Sequence, residues 1–199
     1  MPLPTLEKSI FETILGRRSV RSFKPKQVNR AAIGSLLEAA VRAPTVIHQE
    51  PWAFVIIQDK AMLKNLSDLA KPIFLAEMHQ YHRLEYSDLK LDIFDTPDFN
   101  IFYDASTLIV ICGKTASPFF TADCWLAAEN LMLAACAMDL GSCVIGSALP
   151  AFNVATVRAK LRIPDEYSVV APIALGYPSN EAPPTRRKSP VVFACIAAA

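Results

Sequence analysis

Residues 43–58, APTVIHQEPWAFVIIQ, combine a constrained polar loop with a buried strand and determine how the neighbouring segments are interpreted. Pro44 ends the helix before it, because the residue preceding a proline is disfavoured in the helical region. Residues 53–58 form a short apolar run rich in β-branched side chains and predict a buried strand. The polar side chains between Pro44 and Pro51 lie on a stiff backbone, since each proline fixes its own φ. Such a loop suits a planar heteroaromatic ligand with donors and acceptors at its edge. An ordinary turn that places Trp52 in the core is an equally good interpretation.

Apolar residues recur at helical spacing in five segments. These are residues 5–15, the stretch that begins after Asn29 and ends at Ala43, and residues 60–89, 121–140 and 154–161. Thr5 and Asn29 are the expected N-caps of the first two helices, and Gly141 is the expected C-terminal cap of the fourth. Pro72 is expected to break or kink the third helix, because proline lacks the N–H that an interior position donates.

Short β-rich runs interleave with these helices. Besides residues 53–58, they are residues 107–112, 142–145 and 168–175. Residues 92–103 mix acids, a proline and aromatic side chains, and are expected to form a lid or loop rather than core. The elements do not follow a strict strand–helix–strand rhythm, so we predict an α+β fold with helices flanking a mixed sheet. Because no repeat or linker divides the sequence, we expect one domain over residues 1–199, with a basic, proline-rich extension over residues 178–199.

Composition and charge argue against several classes of protein. The 20 Lys and Arg residues nearly balance the 19 Asp and Glu residues, so the chain has no net field that would attract nucleic acid. Its five cysteines include no CxxC pair, which disfavours a disulfide framework or a zinc site. The most apolar helical stretch has polar residues at its middle and is too short to span a membrane. The start, Met1-Pro2-Leu3-Pro4, is unlike a signal peptide, and we expect a cytoplasmic protein without a metal.

Three further segments carry groups that could hold an anion or approach a ligand closely. Arg17, Arg18 and Arg21 cluster after the first helix, where guanidinium groups either bind phosphate or face solvent at the helix end. The glycines of residues 141–147 permit close backbone approach or a tight helix-to-strand corner. They do not form a P-loop, because a serine follows where the lysine is required, and no G-x-G-x-x-G motif occurs. Residues 183–188 form a basic patch that, taken alone, is typical of a solvated tail.

In this order, the segments resemble the motifs of the flavin-dependent nitroreductase family along nearly the whole chain. The family's R-R-S-x-R opening corresponds to residues 17–21, and its A-P-S-x-x-N-x-Q-P-W loop to residues 43–52. Its A-A-x-N-x-x-L-A-A helix corresponds to residues 127–135 and leads into G-S-C-x-I-G at residues 141–146. An A-L-G-Y-P strand end at residues 174–178 precedes the basic segment. Each motif is weak alone, but five in this order form a specific signal.

The resemblance implies an α+β homodimer with a mixed, largely antiparallel sheet and one flavin mononucleotide (FMN) in each of two interface clefts. It also implies ping-pong hydride transfer from NAD(P)H, through flavin N5, to a nitroaromatic, quinone or similar acceptor. No catalytic acid or base is assigned, because the flavin carries the chemistry. The implied cofactor-binding residues are Arg17, Arg18, Ser19 and Arg21 at the phosphate, ribityl chain and ring edge, Arg186 and Arg187 at the phosphate, Ile145 and Gly146 at N5 and O4, Pro44, Thr45 and His48 from the partner protomer, and Glu50 near the flavin.

Three positions depart from the family's loop. Thr45 replaces Ser and keeps its hydroxyl, His48 replaces Asn and can become charged, and Glu50 replaces Gln and adds a carboxylate. A negative charge beside the flavin lowers the reduction potential unless Glu50 is paired or protonated. Arg42 or an arginine of the 17–21 cluster is the candidate partner. These departures leave open the alternative that the chain forms a dimer that binds flavin or another anion without turnover. A specialised role such as reductive dehalogenation also fits the scaffold.

Several side chains have both a structural and a functional interpretation. Cys143 lies in the glycine segment without a recognisable His–Asp partner, so we expect a small buried residue rather than a nucleophile. Four aromatic residues either wall the substrate side of the flavin or pack in the core or an interface. These are Phe94, Phe99, Phe102 and Tyr103. His79 and His82, three residues apart, are interpreted as exposed helix residues rather than metal ligands.

Overall fold

The computed structural model describes residues 8–81 and 91–196. Within them, four strands form one antiparallel sheet in the order β1-β2-β4-β3. The strands are β1 (Trp52–Ile57), β2 (Thr107–Lys114), β3 (Gly141–Val144) and β4 (Tyr167–Gly176). The α-helices are α1 (Ile10–Gly16), α2 (Arg30–Ala40), α3 (Lys60–Tyr81), α4 (Phe120–Ala137), α5 (Leu149–Phe152) and α6 (Ala155–Lys160). Short 3-10 helices cover Val46–His48, Leu91–Asp95 and Gly146–Ala148. The predicted α+β fold is confirmed.

Helices cover both faces of the sheet, so the central strand β2 is buried along nearly its whole length. Its side chains alternate between the faces, as the two-residue period of a strand requires. Leu108 and Val110 pack in the core that contains side chains of α3 and α5. Ile109 and Ile111 pack in a second core with side chains of α2 and α4. A parallel bridge from Ser19 to Ser142 at the outer edge of β3 makes the sheet mixed there.

Helix α2 begins as predicted, and α1 begins later than predicted. Asn29 caps α2, because its side chain accepts a hydrogen bond from the N–H of Ala32 at 2.8 Å. Helix α1 is capped by Ser9, whereas the predicted cap, Thr5, lies outside the described residues. The N–H of Glu12 donates to Ser9 Oγ and the N–H of Ser9 donates to Glu12 Oε2, over 3.2 and 2.7 Å. This reciprocal pair satisfies two N–H groups that the helix itself leaves free.

Of the predicted break or kink at Pro72, the break is wrong, since α3 continues through this proline to Tyr81. Pro72 is exposed, while Leu63 and Leu66 of the same helix are buried in the core. Burial of this apolar face compensates for the one backbone hydrogen bond that proline removes. The end of the predicted helix, residues 82–89, lies outside the described residues, as does His82.

Gly141 does not cap α4, which ends at Ala137. Asp139 takes the left-handed backbone conformation after the helix instead, with φ 56°. Gly141 begins β3, where an added Cβ would lie 2.8 Å from the Val20 side chain. Glycine is therefore required here for close approach of the segment around Val20 rather than for helix termination.

The prediction that residues 92–103 form a lid or loop outside the core is wrong for Ile101 and Phe102, whereas the alternative that Phe102 packs in the core is confirmed. These side chains are 2% and 0% exposed and pack in the core with α3 and α5. The N–H of Ile101 donates to the buried Ser67 Oγ of α3 at 3.0 Å. This bond fixes the segment against the helix, so its apolar side chains turn inward.

Candidate functional site

The arginine segment, residues 17–21, lies along the outer edge of β3. The N–H of Val20 donates to the carbonyl of Ser142 at 3.0 Å, next to the Ser19–Ser142 bridge. Further along, Phe23 forms an antiparallel bridge with Pro178 after β4. Two segments that are far apart in the sequence, the arginine segment and residues 141–146, are thus brought side by side.

The arginines of this segment point in different directions. Arg17 Nε lies 3.3 Å from Glu129 Oε1 on α4. Arg18 Nη1 donates to the carbonyls of Leu15 and Arg17, at 2.5 and 2.8 Å. Arg21 is exposed, and its Cζ lies 5.9 Å from the centre of the Tyr103 ring. A guanidinium has five N–H donors, so these contacts leave each group able to bind an anion.

Cys143 is buried in β3 next to this segment, at 3% exposure, as predicted for a small packing residue. Burial raises the pKa of its thiol, and the neighbouring Arg21 and Ser19 oppose part of that rise. The thiol is therefore protonated at neutral pH, which disfavours a role as nucleophile.

The chain turns sharply after β3 and leaves open space in front of Gly146. Ile145 is buried, and its N–H donates to the carbonyl of Pro172 at 2.8 Å. A Cβ added at Gly146 would meet no atom within 4 Å. A cavity of about 500 Å³ borders this glycine. Its walls include Phe74, Glu77, Phe120 and Trp125. A planar ring can approach the backbone here.

The polar loop, residues 44–50, contains three left-handed residues that are not glycine. They are Ile47, His48 and Glu50, with φ 46°, 54° and 45°. The N–H of Glu50 lies 3.4 Å from Thr45 Oγ1, and the N–H of Val46 lies 3.4 Å from Asp123 Oδ1 of α4. Such backbone strain persists only where surrounding contacts hold it, and it is common at functional sites.

His48 and Glu50 are exposed at the end of this loop. Its hydrogen bonds run to α4 and within the loop itself. Arg42, the candidate partner of Glu50, forms its ion pair with Glu38 instead. Arg42 and Glu38 are one turn apart on the helical surface, so this pair forms locally.

The C-terminal extension begins at a second cavity of about 500 Å³. Arg17, Arg18 and Ser142 line one side of it, and tail residues as far as Pro184 line the other. Arg186 and Arg187 follow Pro184 by two and three residues and are exposed. The tail therefore starts beside the arginine segment.

Three residues that the sequence did not single out connect these segments. Glu129 holds Arg17, Asp123 holds the polar loop, and Lys71 anchors the segment that carries Tyr103. Asp123 is 2% exposed, and its Oδ2 has no hydrogen-bond partner. Sequence position gives little signal for it, because an acid in the first turn of a helix is ordinarily solvent-exposed.

A membrane span and a metal centre are two other kinds of site to consider in the described residues, 8–81 and 91–196. No helix in this part of the chain is long and apolar enough to cross a membrane. No group of three or more His, Cys, Asp or Glu side chains among the same residues could hold a metal ion.

Comparison with known proteins reveals similarity over nearly the whole chain. The sequence model of the nitroreductase family matches residues 14–177. An NADH dehydrogenase of Thermus thermophilus is 27% identical over 193 residues, which cover 93% of each chain. An iodotyrosine deiodinase of Thermotoga neapolitana is 23% identical over 188 residues, covering 93% of this chain and 97% of the relative. A crystal structure of a Bacteroides fragilis nitroreductase with bound FMN superposes with a TM-score of 0.77, at 26% identity, covering 96% of this chain and 99% of that one.

Proposed function

Because the chain belongs to the nitroreductase family, we propose that it is an FMN-dependent oxidoreductase that carries electrons from NAD(P)H to a nitroaromatic, quinone or similar acceptor. The observation that carries this proposal is the hydrogen bond from Val20 to Ser142. It sets the arginine segment beside the strand that leads to Gly146. The B. fragilis nitroreductase with bound FMN and the T. thermophilus NADH dehydrogenase support the same assignment.

The residues beside this strand fit FMN. Arg18, Ser19 and Arg21 offer guanidinium and hydroxyl donors for the phosphate, the ribityl chain and the ring edge. The open space at Gly146 admits the planar ring next to the backbone. Arg186 and Arg187 follow the part of the tail that borders Arg17 and Arg18, and we assign them to the phosphate. Guanidinium groups thus take the place of a glycine-rich phosphate loop.

FMN, when bound, supplies reversible two-electron chemistry at N5. The chain's own contribution is to position the cofactor, adjust its potential and limit access. We assign reductant and acceptor to the cavity that borders Gly146, which they would occupy in turn, as a ping-pong cycle requires. Cys143 is buried and protonated, and we assign no side chain as acid or base. Water at an interface cleft can exchange the protons.

We propose that two copies of the chain form the sites together. Four apolar side chains of the α1 segment are at least half exposed in the single chain: Ile10, Phe11, Ile14 and Leu15. Apolar tail residues are also largely exposed: Val191, Val192, Phe193 and Ile196. The four α1 positions recur at helical spacing and share one helix face, and an exposed apolar face of this kind is typical of an interface. In a dimer, the exposed Pro44, His48 and Glu50, with the half-buried Thr45, would reach the partner's flavin. A cytoplasmic location stays a prediction.

Absorbance of the purified protein tests the proposed activity. We expect bound FMN, a spectrum that bleaches anaerobically with NADH or NADPH, and recovery on addition of a nitroaromatic or quinone. Sedimentation should give a dimer. Protein that binds no FMN even on reconstitution would overturn the proposal. Bound flavin that neither nucleotide bleaches would favour a dimer that binds flavin without this turnover. If only a halogenated phenol restored the oxidised spectrum, reductive dehalogenation would be favoured.

A further inference from the structure

Arg21 lies over the face of the Tyr103 ring, with 5.9 Å between Cζ and the ring centre. The two residues belong to separate parts of the chain, the arginine segment and the loop that leads into β2. A cation over an aromatic face is attracted by the negative charge of the π-system. Arg21 also neighbours the Cys143 thiol but is otherwise exposed, so this ring adds a restraint to a side chain that solvent would leave largely free.

Tyr103 is held in an unfavourable backbone conformation. Its φ is 56°, and that of the next residue, Asp104, is 54°, although neither is glycine. The N–H of Tyr103 donates to the carbonyl of Asn100 at 2.8 Å. The Asn100 side chain accepts from the N–H of Phe102 at 2.9 Å and donates to Asp104 Oδ1 at 3.0 Å. This network maintains the turn that directs the tyrosine ring.

The turn is anchored to α3 by a nearly buried lysine. Lys71 Nζ donates to the carbonyls of Thr96, Pro97 and Phe99, at 3.3, 3.3 and 3.0 Å. The Phe99 ring then meets Tyr103 edge to face, with 6.0 Å between ring centres. A buried ammonium requires such partners, because its desolvation is costly. A rigid path of contacts therefore runs from α3 to Tyr103 and ends at Arg21.

We propose that Tyr103 is a positioning residue that holds the Arg21 guanidinium at the edge of the flavin ring. The inference rests on the proposed function, since it assigns Arg21 to the FMN site. A positive charge fixed beside the ring favours the more negative, reduced state of the cofactor. Through Arg21, Tyr103 thereby raises the midpoint potential of the bound flavin.

The experiment compares Tyr103→Phe and Tyr103→Leu in backgrounds with Arg21 and with Arg21→Ala. With Arg21 present, we expect Tyr103→Leu to weaken FMN binding about two- to five-fold, the scale of one cation–π contact, and to make the midpoint potential more negative. Tyr103→Phe keeps the ring face and should behave like the unaltered protein. In the Arg21→Ala background, Tyr103→Leu should change neither quantity further.

Tyr177→Leu is the matched control, because Lys26 Nζ lies over that ring at 4.2 Å, away from Arg21. It should leave the potential unchanged. Tyr103→Met is the second variant should the leucine protein fail to fold. Two results would overturn the inference in protein that still binds FMN. One is that Tyr103→Leu or Tyr103→Met changes FMN affinity and midpoint potential equally with and without Arg21. The other is that Tyr103→Phe behaves like the leucine variant. Loss of FMN from the unaltered protein would instead refute the proposed function.

Discussion

Arg17 and Glu129 form an ion pair, with 3.3 Å between Arg17 Nε and Glu129 Oε1. The pair joins the arginine segment to α4. The Arg17 side chain is 22% exposed, and this contact gives it a carboxylate partner. Arg18 differs, because its described hydrogen bonds go to the backbone carbonyls of Leu15 and Arg17 and leave its charge without a carboxylate. The two neighbouring arginines are therefore expected to respond differently to substitution.

Arg18→Ala should weaken FMN binding by about 1.5–3 kcal/mol, the scale of a hydrogen bond to a charged group. Arg17→Ala, unlike Arg18→Ala, should lower the free energy of unfolding, by up to about 1 kcal/mol, because it removes a partly exposed ion pair. Isothermal titration with FMN and urea unfolding measure the two effects. Arg30→Ala, at the exposed start of α2, is the control and should alter neither. An unchanged dissociation constant for Arg18→Ala would refute its assignment.

Glu50→Gln should raise the midpoint potential of the flavin. Glu50 is exposed in the single chain, and Arg42 pairs with Glu38 rather than with it. An unpaired carboxylate near the ring opposes the additional negative charge of the reduced cofactor. Spectroelectrochemistry measures the potential, with Glu38→Gln as a control that removes a carboxylate from α2. Identical potentials for Glu50→Gln and the unaltered protein would place this carboxylate away from the flavin.

Two buried thiols should make the fold less stable at alkaline pH. Burial raises the pKa of Cys112 to about 11 and that of Cys124 to about 12. An unfolded thiol ionises near pH 9, so above that pH the folded chain binds more protons than the unfolded chain. Stability is therefore fully present below about pH 9 and falls as pH rises toward 11 or 12, by up to about 1.4 kcal/mol per pH unit for each thiol.

Urea unfolding at pH 8, 9.5 and 10.5 measures this decline. The Cys112→Ala/Cys124→Ala double variant should be less stable at pH 8, because it loses buried volume, but its stability should fall less steeply with pH. Other groups titrate alike in both proteins, so the difference between the two slopes reports the thiols. Parallel slopes would contradict the assignment.

Local patterns predicted those parts of the molecule that depend on nearby residues. Asn29 was identifiable as a cap because a helix start is a local feature. The burial of Ile101 was not predictable, because it depends on the bond from its N–H to Ser67 of α3. The role of Gly141 likewise depends on Val20, which is distant in the sequence. Long-range contacts of this kind leave no periodic pattern.

The same distinction applies to the candidate site. The order of motifs identified residues 17–21 and 141–146, and the structure brings these segments together. The partners of the charged groups, Glu129 for Arg17 and Glu38 for Arg42, were not apparent from motif spacing. Side-chain direction decides such pairs, and a motif records residue types but not directions.

Gly146→Ala should block FMN without harming the fold. The new Cβ meets no protein atom within 4 Å, and Gly146 does not have a positive φ, so unfolding stability should change by less than about 0.5 kcal/mol. The added methyl group occupies space into which we place the flavin ring. FMN binding should then weaken by at least about ten-fold, a typical cost of overpacking a close contact.

Two other glycines give matched controls for this variant. Gly34→Ala, in α2, also meets no atom within 4 Å and should stabilise the protein by about 0.5–1 kcal/mol, with FMN affinity unchanged. Gly141→Ala places its Cβ 2.8 Å from Val20 and should destabilise the fold by about 1–3 kcal/mol. Titration with FMN and urea unfolding of all three variants separate the two effects. If Gly146→Ala kept full FMN affinity, the flavin ring would lie elsewhere. The new methyl group has no protein atom to contact, so it would have stayed in the space assigned to the ring.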